Sequence, residues 1–278
     1  MIEVSIIIVN YNTVNLTKAC IDSIVKYTQG LNYEIILVDN KSTDGSKQYF
    51  EKDKRIIYIY NEENRGFGGG NNQGALKASG KYLFFLNPDT LLLNNAIKEL
   101  YDFYTSDKSI GICGGNLYDI ELKPAHSFRR YLPGIQWEVN LLTCGLWDKI
   151  IYGKNRIFNY TKNTIEVGYV TGADLFISKD LFDKCGGFSS EFFMYYEETD
   201  LTNQVKRLGK RVYSVPSSKI QHLEGKSFSA EKEQRRRALT ENGYQVYRRR
   251  NYSKWQKTLS KPLHFFYLTL KGVILKLR

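Results

Sequence analysis

Short apolar segments that alternate with helix-like segments constrain the fold of this chain more than any other feature. Four such segments, at 4–9, 34–39, 55–60 and 81–86, are rich in β-branched and aromatic residues, and each predicts a strand. Residues 15–27 carry apolar side chains at helical spacing, with Asn15 as the expected N-cap. Because strands that are apolar along their whole length need cover on both faces, the pattern predicts the doubly wound α/β class, with a mostly parallel central sheet between two layers of helices.

The second half of the chain has a less regular pattern. Residues 120–165 are rich in aromatic and basic side chains, which indicates an insertion or a lid. Further along, the sequence predicts a strand over 167–178 that is interrupted at Gly172-Ala173-Asp174, a helix over 197–208 and a strand over 211–215.

Polar side chains follow three of the predicted strands at the point where each strand ends. These clusters are Asn10-Tyr11-Asn12, Asp39-Asn40 and Asn87-Pro88-Asp89. In open α/β sheets, ligands bind at the carboxyl ends of the strands, so we expect a ligand site at this edge. A carboxylate at Asp89, behind a proline that fixes the backbone, suits a hard divalent cation; the alternative is that Asp89 or Thr90 caps the next helix.

A glycine-rich segment over residues 64–74 follows the third predicted strand. It lacks the Gly-Lys-Ser/Thr ending of a phosphate-binding P-loop, and Asn71 breaks the G-x-G-x-x-G pattern of dinucleotide-binding proteins. Clustered glycines at a helix start still allow close backbone approach to a ligand, although a purely structural turn explains them equally well.

Three carboxylates lie within four residues, at Glu197-Glu198-Thr199-Asp200, directly after the apolar run 192–196. A carboxylate that emerges from an apolar wall has a raised pKa, which suits a general base. The alternative is a helix N-terminus stabilised by the macrodipole. His222 lies in a predicted loop after the last strand, where it is either structural or a further ligand for a cation, with Lys226 nearby for phosphate oxygens.

The charge of the chain is concentrated in its last fifth. The formal net charge is +11, and residues 226–278 hold 14 Lys and Arg against 3 Asp and Glu, so this segment carries all of it. We therefore divide the chain into a catalytic-sized domain over residues 1–227 and a basic, amphipathic C-terminal extension over 228–278. Basic residues beside a short aromatic and aliphatic stretch are typical of a helix that lies on an anionic membrane surface; a basic helix packed on the domain by its apolar face is the alternative.

Composition excludes several classes of protein. With 42% apolar and 25% charged residues, the chain is neither disordered nor fibrous. Its four cysteines lie far apart and its three histidines show no ligand spacing, so we expect reduced thiols and no zinc site. The longest apolar stretch is too short to span a membrane, and the start of the chain shows no secretory signal. A cytoplasmic protein is the expectation.

Taken in their order along the chain, these segments resemble the inverting family-2 glycosyltransferases with the GT-A fold, in particular the rhamnosyltransferase-like branch that builds bacterial surface polysaccharides. The segments that carry the resemblance are Val4–Asn12, Ile35–Gly45, Asn64–Gly66, Asn87–Asp89, Gly172–Asp174 and Glu197–Leu201. Two positions depart from the family pattern. Asn87 replaces the first aspartate of the Asp-x-Asp metal motif, and Glu198 replaces the aspartate of the Glu-Asp base motif.

The resemblance implies a single in-line displacement at the anomeric carbon of a nucleoside-diphosphate sugar, with a glycan or lipid-linked glycan as acceptor. Glu198 is then the catalytic base, and Asp39 accepts a hydrogen bond from the nucleotide base. The implied donor-nucleotide-binding residues are Val9, Asn10, Tyr11, Asp39, Asn64, Gly66, Asn87 and Asp89. The implied acceptor-binding residues are Asp174 and Glu197, and the implied ligands of Mg²⁺ or Mn²⁺ are Asp89 and His222. A lipid-linked acceptor places the protein in the cytoplasm, peripheral at the inner face of the plasma membrane.

Three other classes compete with this interpretation. A dinucleotide-dependent α/β enzyme needs its glycine fingerprint after the first strand, where Tyr11-Asn12-Thr13 lies instead. A nucleic-acid-binding protein would account for the arginine triplets 235–237 and 248–250, but no base-reading motif accompanies them, so we expect no nucleic-acid partner. A glycosidase also uses two carboxylates, yet it has no need of Asp39 or of a cation site at a strand end.

Overall fold

A nine-stranded sheet forms the centre of the structure, a computed structural model that describes residues 1–223 and 230–276. The strands, in chain order, are β1 (Val4–Asn10), β2 (Tyr33–Asp39), β3 (Ile57–Tyr60), β4 (Tyr82–Leu86), β5 (Thr90–Leu92), β6 (Ile110–Tyr118), β7 (Phe128–Arg129), β8 (Ile165–Glu166), β9 (Tyr169–Val170), β10 (Asp174–Ser178) and β11 (Arg211–His222). The α-helices are α1 (Val14–Tyr27), α2 (Ser46–Phe50), α3 (Gly66–Lys77), α4 (Ala96–Ser106), α5 (Ile135–Leu142), α6 (Leu146–Tyr152), α7 (Lys179–Lys184), α8 (Glu197–Arg207), α9 (Ala230–Asn251) and α10 (Lys254–Lys276), and a 3₁₀ helix covers Gly153–Arg156.

The sheet is mixed rather than mostly parallel. Its strand order is β3-β2-β1-β4-β10-β6-β11-β5, with β8 paired to β11, and β7 and β9 form a separate two-stranded ribbon. The first four strands in this order are parallel, but β10 is antiparallel to both of its neighbours. Asp174 at the start of β10 pairs with Leu86 at the end of β4. The predicted strand over 167–178 is therefore two strands, and the later one begins at the ligand-binding edge.

Helices cover both faces of the sheet, as the sequence predicts for the α/β class. Ile6 and Ile8 of β1 point to one face, where they pack with side chains of α1 and α4. Ile7 points to the other face and packs with side chains of α3, α7 and α8. This alternation along a largely buried strand is why β1 is apolar from Val4 to Val9 except at Ser5, whose hydroxyl donates to Glu34 Oε1.

Some element boundaries differ from the predicted ones. β11 does not end at Val215: after an irregularity between Val215 and Lys219 it resumes pairing with β6 and then with β5. Pro216 lies in this irregular stretch, where its missing N–H costs no ladder hydrogen bond. His222 is thus the last residue of a strand, not part of a loop. The N-cap of α1 is Thr13, not Asn15.

The C-terminal helices pack on the rest of the chain. Tyr247 and Val246 of α9 and Tyr252 are buried together with Phe192, and α10 packs on α5. The segment 120–165, predicted as an insertion or lid, contributes α5 and α6 to this layer. The division of the chain at residue 227 stays a prediction, and the described part of the extension shares buried contacts with the domain. Across the described residues, no helix has the length and apolarity needed to cross a membrane.

Candidate active site

Asn87, Asp89 and His222 come together at the carboxyl ends of β4 and β11. Because β5 pairs antiparallel with β11, Thr90 lies opposite His222, and this register brings the preceding Asp89 to the imidazole. His222 Nε2 is 3.2 Å from Asp89 Oδ1 and 3.3 Å from Asn87 Nδ2. Both the imidazole and the carboxylate remain partly accessible to solvent. The structure therefore assembles the predicted cation ligands from two distant parts of the sequence.

The Asp89 carboxylate and the His222 imidazole fit a divalent cation that a bound substrate also ligates. One carboxylate and one imidazole suit Mn²⁺, since Mg²⁺ prefers oxygen ligands alone. Within residues 1–223 and 230–276, no group of three or more His, Cys, Asp or Glu side chains is arranged to enclose a metal ion by itself. A cation at Asp89 and His222 would thus need the oxygens of a bound diphosphate to complete its coordination. Glu224 and Lys226, which follow His222, lie outside the described residues.

Asp39 and Asn10 form a buried polar network at the ends of β1 and β2. Asp39 accepts hydrogen bonds from the Ser42 N–H at 2.7 Å, the Tyr58 hydroxyl at 3.0 Å and Asn10 Nδ2 at 3.3 Å. Asn10 Oδ1 accepts from the hydroxyls of Thr13 and Thr17, which start α1. Both side chains lack exposed surface, so in this structure they hold the loops around them. That Asp39 also accepts from a nucleotide base stays a prediction.

Tyr11 and Val9, the neighbours of Asn10 in the chain, differ in their exposure to solvent. Tyr11 is 47% exposed at the end of β1, where an aromatic ring is open to a ligand. Val9 is half-buried, and a Cβ on Gly70 would lie 2.9 Å from its Cγ1. The absence of a side chain at Gly70 therefore lets α3 pack directly on β1.

The glycine-rich segment is the start of α3, and it lies between the end of β2 and the segment that precedes α8. Gly66 has φ +71°, and a Cβ there would lie 2.1 Å from the Phe193 carbonyl oxygen, so only glycine fits. Asn64 Oδ1 accepts from the Gly66 N–H, and Asn40 Nδ2 donates to the Gly66 carbonyl, each at 2.9 Å. The Phe67 N–H donates to Phe193 O at 3.0 Å. The segment is thus a tight backbone junction, as well as a helix N-terminus.

Two adjacent tyrosines in the left-handed conformation place the carboxylates. Tyr195 and Tyr196 both have φ near +71°, which is unusual for bulky residues, and α8 begins directly after them. Glu197 then packs beside Gly68 and is 4% exposed, whereas Glu198 is half-buried beside Gly172. Nothing in the sequence indicates a positive φ at these tyrosines.

The two glutamates have different electrostatic environments. Burial, followed by the neighbouring Glu198 charge, raises the pKa of Glu197 well above its ordinary value of 4.5. Burial also raises the pKa of Glu198, but its Oε1 accepts from the Thr199 hydroxyl at 3.0 Å, which favours the ionised form. Glu197 Oε2 is buried without a hydrogen-bond partner. Both carboxyl groups therefore favour the neutral form more than an exposed glutamate does, and Glu198 has a hydroxyl donor that stabilises its ionised form.

The carboxyl groups of Asp200 and Asp174 accept hydrogen bonds from other parts of the chain. Asp200 is buried and accepts hydrogen bonds from Asn251 Nδ2 at 2.6 Å and from Arg250 Nε at 3.2 Å, so it fixes α8 to α9. Asp174 has no exposed surface, accepts from the Gly115 N–H at 2.5 Å, and has a pKa raised well above its ordinary value by burial. Its predicted direct contact with an acceptor would require the side chain to become exposed.

The backbone at residues 172–174, where β10 begins, lies between Asn87 and Glu198. The Asn87 N–H donates to Ala173 O at 3.0 Å. A Cβ on Gly172, the residue before, would lie 3.7 Å from Glu198 Cβ and 3.2 Å from the Phe67 ring. The cation ligands and the half-buried carboxylate therefore flank one short stretch of backbone at the ligand-binding edge of the sheet.

The arginine triplet 248–250 also has partners within the chain. Arg249 and Arg250 both pair with Glu191, and Arg250 pairs with Asp200 as well. These ion pairs account for two of its three arginines without a nucleic acid.

The fold and the site define an α/β protein with a partly exposed carboxylate–imidazole pair and a half-buried glutamate at the ligand edge of a mixed sheet. The chain belongs to glycosyl transferase family 2, whose sequence profile matches residues 5–200. This match covers β1 to β10, the glycine-rich segment and the glutamates, but it ends before β11 and His222.

Relatives of known name agree with this membership. The chain is 35% identical over 113 residues to the poly(ribitol-phosphate) beta-glucosyltransferase of Bacillus spizizenii, which is 38% of this chain and 18% of that protein. It is 27% identical over 209 residues to a low-salt glycan biosynthesis hexosyltransferase of Haloferax volcanii, which is 74% of this chain and 62% of that protein. The chain thus spans less than two thirds of the length of each of these relatives.

Solved structures share the fold at low sequence identity. GalNAc-T7, solved with UDP, GalNAc and Mn²⁺, matches with a TM-score of 0.66 at 18% identity, over 89% of this chain and 48% of that one. The mannosyltransferase PcManGT of Pyrobaculum calidifontis, solved with GDP-Man and Mn²⁺, matches with a TM-score of 0.61 at 14% identity, over 95% of this chain and 69% of that one. These likenesses identify the GT-A fold.

Proposed function

We propose that this chain transfers a sugar, with inversion, from a nucleoside-diphosphate sugar to a hydroxyl of a saccharide or lipid-linked glycan in cell-surface polysaccharide synthesis. The observation that carries the proposal is the backbone stretch 172–174, which accepts a hydrogen bond from the Asn87 N–H at Ala173 and lies beside Glu198 at Gly172. A sugar bound there would have its diphosphate leaving group at the cation ligands. The acceptor hydroxyl at Glu198 would lie on the other side of the same sugar ring. Membership of glycosyl transferase family 2 supports this assignment.

The donor would bind along the carboxyl ends of β1, β2 and β4. The exposed ring of Tyr11 lies beside the network of Asn10 and Asp39, and these residues, with Val9, would surround the nucleotide. Asn64 and Gly66 would shape the opposite wall. The neighbours solved with UDP or GDP-Man and Mn²⁺ support a nucleotide donor and a divalent cation, Mg²⁺ or Mn²⁺.

The transfer step would use this chain's residues in distinct roles. Ionised Glu198 would take the proton from the acceptor hydroxyl as its oxygen attacks the anomeric carbon, and the bond to the nucleoside diphosphate would break on the opposite face. Protonated Glu197 would donate a hydrogen bond to the acceptor or to the sugar. Asp89 and His222, with Asn87, would hold the cation, which supplies charge stabilisation for the departing diphosphate.

Slow donor hydrolysis provides the test. The full chain with Mn²⁺ is incubated with UDP-, dTDP- and GDP-sugars, and release of the nucleoside diphosphate is measured. We expect one donor to be hydrolysed, and we expect excess EDTA or Asp89→Ala to abolish the reaction, because Asp89 is the carboxylate of the cation ligand set. Asp180→Ala, which removes an exposed carboxylate on α7, is the matched control and should leave the rate unchanged. Undiminished turnover in EDTA would contradict the role of the cation.

We further propose that the protein is cytoplasmic and binds the anionic inner face of the plasma membrane through α10. α10 packs on α5, where His264 contacts Glu138, while Trp255, Leu259 and Phe266 are 51–60% exposed on another face. These three residues recur at spacings of four and seven, so they form one stripe. Lys254 and Lys261 are exposed on the same helix. An apolar stripe beside basic residues is typical of an interfacial helix.

Sedimentation with vesicles tests the membrane contact. We expect the full chain to sediment with phosphatidylglycerol vesicles at low salt but not with phosphatidylcholine alone. The double variant Leu259→Ser/Phe266→Ser should reduce the bound fraction about tenfold or more, since each buried side chain contributes about 1.5–3 kcal/mol. Leu76→Ser on α3, which is 82% exposed, is the control and should bind as the native chain does. Equal sedimentation of both variants, or tighter binding to DNA than to vesicles at the same salt, would contradict the proposal.

A further inference from the structure

Helix α6 exposes four large apolar side chains to solvent. Leu146 and Ile150 lie one turn apart, as do Trp147 and Ile151, and all four are 40–71% exposed. By contrast, Asp148 on the same helix is buried. A contiguous group of exposed apolar side chains marks a surface that binds a protein or a membrane. We call these four side chains the α6 patch.

The exposed charges of the segment that contains the α6 patch are basic. Over residues 141–163 the basic side chains are exposed or partly exposed, and they are Lys149, Lys154, Arg156 and Lys162. The acidic residue of this segment, Asp148, is buried and pairs with Arg129 at 3.5 Å. Because a second copy of the same face would bring like charges together, the charge favours an anionic lipid surface over a dimer.

A cavity of about 250 Å³ adjoins the α6 patch. It is lined by Arg130, Ile151, Tyr152, Asn155 and Ile165. Ile151 belongs both to the patch and to this lining, so the two surfaces are continuous. The guanidinium group of Arg130 lies over the Tyr152 ring, 5.2 Å from its centroid. Its Nε is buried without a hydrogen-bond partner in the part of the chain that the structure describes. We call this the Arg130 cavity.

The neighbouring carboxylates are directed away from Arg130. Among residues 1–223 and 230–276, Asp148 pairs with Arg129, and Arg130 forms no ion pair. Glu166 follows Ile165 of the lining on β8, so its side chain lies on the opposite face of that strand. There its charge acts on Lys206. An arginine that lines a cavity without a carboxylate fits an anion from outside the chain.

We propose that the α6 patch and the Arg130 cavity together bind an anionic membrane phospholipid. The guanidinium group of Arg130, with its planar fork of N–H donors, holds the headgroup phosphate, and the apolar side chains of α6 lie among the acyl chains. This inference rests on the proposed peripheral membrane location, and it adds a lipid-binding site on an element other than α10. The segment 120–165 then has a role at the membrane.

Tryptophan fluorescence tests whether α6 enters the lipid. Trp255→Phe removes the tryptophan of α10, so that exposed Trp147 and buried Trp137 remain. Vesicles of phosphatidylglycerol and dibrominated phosphatidylcholine should quench this variant, because bromine quenches only the rings that it contacts. Trp147→Phe/Trp255→Phe, which retains Trp137 alone, is the control and should not be quenched. Vesicle-bound protein with an unquenched Trp147 would overturn the proposal.

Sedimentation with phosphatidylglycerol vesicles at low salt measures the two parts of the site. Leu146→Ser/Ile150→Ser should lower the partition coefficient about tenfold or more, since two apolar side chains no longer enter the lipid. Arg130→Gln should lower it about fivefold, because one cation near the anionic surface is lost. Leu76→Ser and Lys77→Gln, at exposed positions of α3, are the matched controls and should bind as the native chain does. Equal losses in the controls and in the site variants would contradict a defined site.

These measurements use no donor, cation or acceptor, so they are independent of transfer activity. If Leu259→Ser/Phe266→Ser binds as the native chain does but the α6 and Arg130 variants do not, the α10 contact fails and the α6 site stands. Calorimetry with free glycerol 1-phosphate tests a soluble ligand, and binding that depends on Arg130 but not on Leu146 and Ile150 would assign the cavity to it. A dimer that Leu146→Ser/Ile150→Ser dissociates would assign the patch to a second copy. Either of these last two results would overturn the proposal.

Discussion

At the scale of single residues, two adjacent glutamates have different surroundings. Glu197 is almost fully buried and has an unpartnered oxygen, whereas Glu198 is partly exposed and accepts a hydroxyl hydrogen bond from Thr199. Two like charges so close together do not both ionise easily in a buried setting. These surroundings support the proposed division, in which Glu197 holds a proton and Glu198 acts as the base.

Replacing Glu198 tests this division. Glu198→Gln should leave donor binding intact and lower kcat by about 10²–10⁴, the usual scale for loss of a general base. Glu197→Gln should retain most of the activity, because a glutamine amide has nearly the shape and donor capacity of a protonated carboxyl group. Steady-state kinetics with each variant decides between them. If Glu197→Gln loses activity and Glu198→Gln does not, the base is Glu197.

At the scale of elements, α9 fixes the start of α8. Gly243 crosses the strained pair of tyrosines so closely that a Cβ there would lie 2.6 Å from Tyr195 O and 3.2 Å from the Tyr196 ring. Arg250 and Asn251 then bind Asp200 one turn into α8. The extension predicted as a separate basic segment is therefore in contact with the backbone that sets the position of Glu198.

Gly243→Ala measures how much this contact matters. Alanine alone would stabilise a helix interior by about 1 kcal/mol, but here its methyl group meets backbone, and overpacking costs about 1–3 kcal/mol. We expect a net loss of thermal stability and a lower kcat, with the donor KM little changed. Asn242→Ala, at the exposed neighbouring position, is the control and should lose neither. A Gly243→Ala variant with native kcat and a higher Tm would show that the helix start does not depend on α9.

At the scale of the whole molecule, a buried polar cluster joins α5, α9 and α10. Glu138 is fully buried and accepts a hydrogen bond from the Tyr244 hydroxyl, and His264 lies between Glu138 and Glu241. Burial alone would lower the pKa of His264, but the hydrogen bonds to Glu138 and Glu241 outweigh it and raise the pKa to about 9. The attachment of the C-terminal helices thus depends on a charged imidazole.

This cluster should make stability depend on pH. The folded pKa of His264 lies above the unfolded value of 6.5, so its contribution is fully present below pH 6.5 and is lost as the pH rises through about 9. The difference between the two pKa values corresponds to about 3 kcal/mol. The free energy of unfolding of the native chain should therefore exceed that of His264→Gln most at pH 6, and this excess should shrink by about 3 kcal/mol by pH 10.

Urea unfolding at both pH values measures that excess, and groups that titrate alike in the two proteins cancel in the comparison. An excess that is the same at pH 6 and pH 10 would contradict a charged His264 in the native state.

Local patterns in the sequence determined the alternation of strands and helices and the positions of the polar clusters at the strand ends. Apolar runs and helical spacing act over a few residues, so the expectation of an α/β protein with Asn10, Asp39 and Asp89 at one edge needed no knowledge of distant contacts. The order of these segments along the chain was likewise enough for the resemblance to family 2, which the profile match to residues 5–200 confirms.

Only the tertiary structure decided which groups meet and how they ionise. The direction of β10, the pairing of His222 with Asp89 and the burial of Asp174 depend on strand pairing between distant parts of the chain. The left-handed tyrosines before α8 lie against Gly243 of α9, which holds them against their own preference. Because pKa values follow burial and neighbours rather than residue type, the sequence located two glutamates, and only packing showed that Glu197 is the more deeply buried of the two.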